Sequence, residues 1–175
     1  YTPLHEAAEN GHFDVCKYIL DQTSDKNPRS PNGTTPLHLA ALEGHSMVFG
    51  YIMRQVDDKN PANDDGGTTP LHRAAYFGHV EICKLLFNHL GDEISLDNDG
   101  RTPIHMAAQE GHLEVCNFML NHLDHKNPRG NDSWTPLHLA CSKGHLEICA
   151  AIIKYLGNKN PALNDGRTAL HIAAR

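Results

Sequence analysis

The sequence predicts an all-α solenoid of stacked helix-turn-helix units, and three observations carry that prediction. The first is a period. Threonines that open one recurring phrase stand at Thr2, Thr35, Thr69, Thr102, Thr135 and Thr168, so successive copies are offset by 33, 34, 33, 33 and 33 residues. A constant spacing of this size marks a repeat array, in which each unit buries its apolar face on its neighbours. The second is the phrase itself, Thr102-Pro103-Ile104-His105-Met106-Ala107-Ala108 in the fourth copy. Its threonine hydroxyl can cap a helix, and its proline suits the first helical position, where the missing N–H costs nothing. The third is the stop and restart that follow. Gly111 is placed for a left-handed helix end, and Leu113, Val115, Cys116, Met119 and Leu120 then form a second amphipathic run.

Taken in order, the paired helices are predicted at about residues 3–10 and 13–22, 36–43 and 46–56, 70–77 and 80–90, 103–110 and 113–123, and 136–143 and 146–156. In each first helix the apolar stripe at i, i+3 and i+4, such as Ile104, Ala107 and Ala108, carries small alanines that let a neighbouring element approach closely. The second helices present Val15, Ile19 and Leu20; Val48, Ile52 and Met53; Ile82, Leu86 and Phe87; Val115, Met119 and Leu120; and Ile148, Ile152 and Ile153 as packing residues. One elongated domain, 1–175, follows, with units near 1–32, 33–65, 66–99, 100–132, 133–165 and a truncated 166–175. The chain opens at Tyr1 directly before a phrase and stops at Arg175 within a first helix. It is therefore expected to be a monomeric fragment of a longer repeat protein.

Residues 33–45 and 133–145 follow the pattern Gly-x-Thr-Pro-Leu-His-x-Ala-Ala-x-x-Gly-His almost letter for letter. The pattern resembles the ankyrin repeat, and the resemblance covers essentially the whole chain. It implies an L-shaped stack of helix pairs with β-hairpin-like loops projecting from one edge, and protein binding as the usual function. It also implies that the phrase histidines bond within their turn and to the adjoining loop.

The loops carry a refrain of their own, Lys-Asn-Pro, at residues 26–28, 59–61, 126–128 and 159–161. Asn27 matches the asparagine that the family places eight residues before the threonine, and its amide can bridge the two limbs of the loop. The lysine stands where the family has an aliphatic residue, and the proline removes a backbone donor, so regular hairpin ladders are not expected. Irregularity is expected at two loops: the second gains a residue within Asn63 to Gly67, and the third has Glu93-Ile94-Ser95 in place of Lys-Asn-Pro. Ser133 replaces a glycine found at Gly33, Gly67, Gly100 and Gly166, which implies strain if that position has positive φ.

Composition narrows the function. A net charge of −6 argues against nucleic acid and anionic membrane as partners, since both need concentrated basic surface. Apolar runs such as Ile82 to Phe87 are short and interrupted, so neither a membrane-inserted span nor a secretory signal is expected. Four of the five cysteines, Cys16, Cys83, Cys116 and Cys149, share one repeat position, and Cys141 replaces the second alanine of a pair. Free, buried thiols in a reducing, intracellular and cytoplasmic setting are the expectation. Eleven of the 14 histidines recur in register, six closing the phrase and five following its glycine, and a role repeated in every unit is structural. With no phosphate loop, nucleophile motif or off-register ligand cluster, the sequence implies no enzyme, no metal and no cofactor.

What remains is a surface that varies while the framework repeats. After the paired small residues come Glu9-Asn10, Leu42-Glu43, Tyr76-Phe77, Gln109-Glu110 and Ser142-Lys143, and just before the threonine stand Thr34, Thr68, Arg101, Trp134 and Arg167. Large aromatic and cationic side chains at such positions have the composition of an interface centre. Arg73, Tyr76, Phe77, Arg101, Met106, Trp134 and Lys143 are accordingly the candidate contacts for a protein or peptide partner on a concave helix and loop surface. The alternative is a structural spacer or cytoplasmic array within a larger scaffold or membrane protein.

Overall fold

The computed structural model describes residues 1–91 and 95–174. Its helices alternate as first and second members of five hairpins: α1 (Pro3–Glu9) with α2 (Phe13–Gln22), α3 (Pro36–Glu43) with α4 (Ser46–Met53), α5 (Pro70–Phe77) with α6 (Val80–Leu90), α7 (Pro103–Glu110) with α8 (Leu113–His122), and α9 (Pro136–Lys143) with α10 (Leu146–Tyr155), followed by α11 (Ala169–Ala173). The clearest departure from the predicted boundaries is α4, which ends at Met53 because its last turn tightens, Gln55 donating its N–H to the Ile52 carbonyl at 2.8 Å.

Each first helix begins in the same way. The threonine is extended, proline follows, and the histidine two residues after the proline turns its ring back on the cap. Nδ1 of His38 accepts the Thr35 N–H at 3.1 Å, and Nδ1 of His105 accepts the Thr102 N–H at 3.0 Å. This is a capping box with imidazole in the place usually held by a carboxylate, present at α1, α3, α5, α7 and α11; at α9 the His138 ring meets the Thr135 hydroxyl, at 2.8 Å, without the backbone bond. The buried pairs Ala40-Ala41, Ala74-Ala75 and Ala107-Ala108 let successive first helices approach more closely than the second helices do. The row of first helices therefore forms the inner, concave side of the stack.

Two histidines fasten each of the four seams between the five hairpins, from opposite directions. With Nδ1 an acceptor, the phrase histidine carries its proton on Nε2 and donates forward: His5 to the Thr34 carbonyl at 3.0 Å, His38 to Thr68 at 3.1 Å, His72 to Arg101 at 3.0 Å and His105 to Trp134 at 3.3 Å. His138 reaches Pro161 instead, at 3.1 Å. The histidine after the glycine donates backward: His45 to the Glu9 carbonyl at 3.0 Å, His79 to Leu42 at 2.9 Å, His112 to Tyr76 at 2.7 Å and His145 to Gln109 at 3.0 Å. Its ring lies on the glycine of the preceding unit, so close that a Cβ on Gly44 or Gly78 would fall 2.5 Å from ring atoms.

Among the described residues no strand forms, only an isolated bridge between Ala162 and Thr168, as the Lys-Asn-Pro refrain implied. The loops are short turns. Gly33 donates to the Ser30 carbonyl at 2.8 Å, and Ser30 donates to the Thr34 carbonyl at 2.8 Å, closing a hairpin loop whose last turn residue is left-handed. In the lengthened loop Gly66 and Gly67 both take positive φ, at 88° and 67°; the expectation at Glu93 and Ile94 lies outside the described residues. At two loops the lysine of the refrain turns back on the chain before it: Lys26 Nζ donates to the Leu20 carbonyl in the last turn of α2 and to that of Thr23, and Lys59 Nζ donates to Val56, beyond the end of α4, at 2.8 Å. The asparagine spans the loop at Asn60, Asn127 and Asn160 but not at Asn27, whose Oδ1 is buried without a hydrogen-bond partner. Oδ1 of Asn60 accepts the Leu71 N–H at 3.0 Å, and Asn127 accepts that of Leu137 at 3.0 Å.

Ser133 is the one non-glycine at positive φ among the described residues, at 65°. Its hydroxyl accepts the Asn164 N–H at 3.2 Å, a link that backbone carbonyls make between other loops, as when Asn131 donates to Asp99 at 2.8 Å. Strain and bond oppose one another, so Ser133→Gly should leave stability within about 0.5 kcal/mol of the parent, while Ser133→Ala keeps the strain, loses the bond and should cost about 1 kcal/mol. Urea unfolding of both variants checks this, and a harmless Ser133→Ala would remove the hydroxyl's role.

One core assignment needs correction. Val15 is 48% exposed, whereas its equivalents Val48, Ile82, Val115 and Ile148 are at most 2% exposed. These side chains are covered by the preceding unit, and in the described chain none stands before the first.

Candidate protein-binding surface

The concave surface is built in three levels that follow the first-helix register. At the top are the residues ahead of each threonine cap, Arg101 and Trp134. In the middle, four residues into each helix, are Arg73 and Met106 with their equivalents Leu39 and Leu139. At the foot are Tyr76, Phe77 and Lys143. An eight-residue helix separates top from foot by about 12 Å.

At the foot of α5 the rings of Tyr76 and Phe77 meet edge to face, with centroids 4.9 Å apart, and stay 37% and 43% exposed. Phe77 also stacks on His79 at 6.4 Å, the ring whose Nε2 is committed to the seam. The pair is thus supported from behind and open in front. Arg73 is half-buried one helical turn above it, and Lys143 is exposed at the end of α9. Met106 is 8% exposed and belongs to the core cluster, so it offers a partner almost no area.

At the top, Arg101 is ion-paired with Asp99, and its carbonyl receives the His72 bond. Trp134 is half-buried, its ring edge-on to His138 at 6.1 Å, its N–H on Asp132 at 3.1 Å and its carbonyl on His105. The backbone of Trp134 is therefore fixed by framework bonds, while its side chain is free of them. By register, Tyr76 and Phe77 at the foot of the third unit, Arg101 at the top of the fourth and Trp134 at the top of the fifth trace a diagonal band, whereas Lys143, at the foot of the fifth, and the buried Met106 stand off it. Sequence reasoning passed over Met47 and Leu146, exposed at 72% and 78%, because both stand in the first turn of second helices, where apolar residues read as packing.

The buried histidines are poor candidates for acid–base chemistry. Burial pushes His38 and His105 down to about 4, against which the bonded carbonyls of Thr68 and Trp134 raise them. With Nδ1 accepting and Nε2 donating, neither ring has a nitrogen to spare. Among the described residues no group of three or more His, Cys, Asp or Glu could hold a metal ion, and no helix is long and apolar enough to cross a membrane. Cavities of 320 and 480 Å³ lie under the Lys-Asn-Pro loops, lined by residues such as Asn27 and Asp58 or Asn127 and Tyr155. Neither is lined by Tyr76, Phe77, Arg101 or Trp134.

A comparison with curated proteins finds no match. The family model for ankyrin repeats matches in three copies, over residues 1–61, 48–129 and 122–175. Such repeats are generally protein–protein interaction modules and typically non-enzymatic. The period, the threonine caps, the histidine seams and the family match agree: the chain belongs to the ankyrin repeat family.

Proposed function

We propose that the array binds a protein or peptide partner along the concave diagonal band, with the Tyr76 and Phe77 pair as its apolar anchor and Trp134 as its upper contact. The observation that carries this reading is the exposed aromatic pair at a position where other units carry Glu9-Asn10, Leu42-Glu43, Gln109-Glu110 and Ser142-Lys143. Aromatic side chains with rigid support supply most of the binding energy in protein interfaces. Arg73 and Lys143 flank the band with positive charge, which favours a partner segment with carboxylates beside its apolar residues.

Trp134 is the single tryptophan, so a docking partner should shift or quench its emission. Truncating Tyr76 or Trp134 to alanine should each weaken the complex by about 2 kcal/mol while thermal unfolding stays near that of the parent. Capture from a lysate by the parent and by the Tyr76→Ala/Trp134→Ala variant, followed by titration of the captured partner, tests the reading. Undiminished capture by the folded double variant would place the interface on the convex helices or on the Lys-Asn-Pro loops.

A further inference from the structure

In every unit the second residue of the small pair lies eight positions before the residue that follows it across the hairpin: Ala8 and Cys16, Ala41 and Phe49, Ala75 and Cys83, Ala108 and Cys116, Cys141 and Cys149. In the fifth unit alone both positions carry sulfur, and there the two Sγ atoms stand 3.2 Å apart, both thiols free. Three other cysteines, Cys16, Cys83 and Cys116, are fully buried and have alanine at the corresponding place. Cys141 is half-buried and is the more exposed of the two.

We propose that Cys141 and Cys149 form a peroxide-sensitive dithiol that closes to a disulfide across the α9–α10 hairpin.

The surroundings divide the roles. Cys149 stands in the first turn of α10, its N–H bonded to the His145 carbonyl at 3.0 Å, where the helix dipole favours negative charge. Cys141 stands in the last turn and a half of α9, where the dipole opposes it. The Cys141 S–H, as donor, holds the Cys149 thiol below its ordinary value, and that same bond, with burial, raises Cys141. Cys149 is therefore the attacking thiolate and Cys141 the resolving thiol.

The thiolate attacks one oxygen of hydrogen peroxide. The O–O bond breaks, the departing hydroxide takes a proton to become water, and Cys149 becomes a sulfenic acid. Cys141 sulfur then attacks Cys149 sulfur. The S–O bond breaks, and the leaving oxygen departs as water with the Cys141 proton. The two thiols lose two electrons, and one peroxide is reduced to two waters. The closed bridge ties together the two helices of the fifth hairpin, beside Ser142 and Lys143 at the foot of the concave face.

The test treats the folded chain with a small excess of hydrogen peroxide, alkylates the remaining thiols after denaturation, and maps the masses. The expected product is lighter by about 2 Da before alkylation, takes up alkyl groups at Cys16, Cys83 and Cys116, and contains a linked Cys141–Cys149 peptide pair that dithiothreitol releases. In Cys141→Ala, which restores the residue of the other four units and so should fold, Cys149 should stop at the sulfenic acid or go on to the sulfinic acid. Five alkylatable thiols after treatment, bridging at another pair, or sulfinic acid at Cys149 in the parent chain would each overturn the proposal.

Discussion

Gly78→Ala should destabilise the array by about 2–3 kcal/mol, while Gly144→Ala, at nearly the same backbone conformation, should cost only about 1 kcal/mol. Both glycines end a first helix in the left-handed region, with φ of 80° and 77°, so an alanine at either carries the same backbone penalty. They differ in what a Cβ would meet. At Gly78 it would fall 2.5 Å from Nδ1 of His112, whereas at Gly144 nothing lies within 4 Å. The His112 ring would have to withdraw, and its bond to the Tyr76 carbonyl, 2.7 Å long, would lengthen or break. Urea denaturation followed by helicity measures both variants. Equal losses would mean that the ring yields freely and that the seam contact contributes little.

Acidification should weaken the fold well before the carboxylates titrate. His38 and His105 are held at about 4 in the folded chain, against an ordinary 6.5. Burial is the main cause, and a proton on Nδ1 would also face the donor N–H of the cap threonine. The unfolded chain therefore binds more protons than the folded one as pH falls from 6.5 toward 4. Stability is fully present above the upper value and is lost on the way down. By about pH 5 each of the two should have cost about 2 kcal/mol. His5, His72 and His138 are lowered in the same sense, mainly by burial. Denaturation at about pH 7.5 and pH 5 should show a large fall in unfolding free energy, and His38→Ala with His105→Ala should flatten the difference. Equal stability at the two values would show that these rings are not held neutral.

The framework was legible because its grammar is local. Threonine, proline and histidine act within one turn of each other, and a glycine stop is a property of a single residue. What depends on a neighbour in the stack was not legible. Val15 reads like Val48, yet only one of them has a unit packed over it. The reach of Lys26 back to the Leu20 carbonyl depends on a loop path that spacing does not reveal, so its lysine read only as a departure from the family. The meeting of Cys141 with Cys149 was hidden because each fitted its own repeat position, and the crossing that joins the two positions belongs to the hairpin. For the candidate surface the aromatic residues could be picked out as unneeded by the framework, but the burial of Met106 could not, since it follows from the close approach of the first helices.

The two histidine contacts also give the stack a sense of direction. At each of the four seams between the hairpins one face carries a glycine hollow and the other a projecting imidazole, as with Gly44 and His79 or Gly111 and His145. Turned upon its own copy, either face would oppose hollow to hollow or ring to ring. Contacts of this chemistry are therefore heterologous, and repetition of them generates a growing spiral instead of a closed twofold pair.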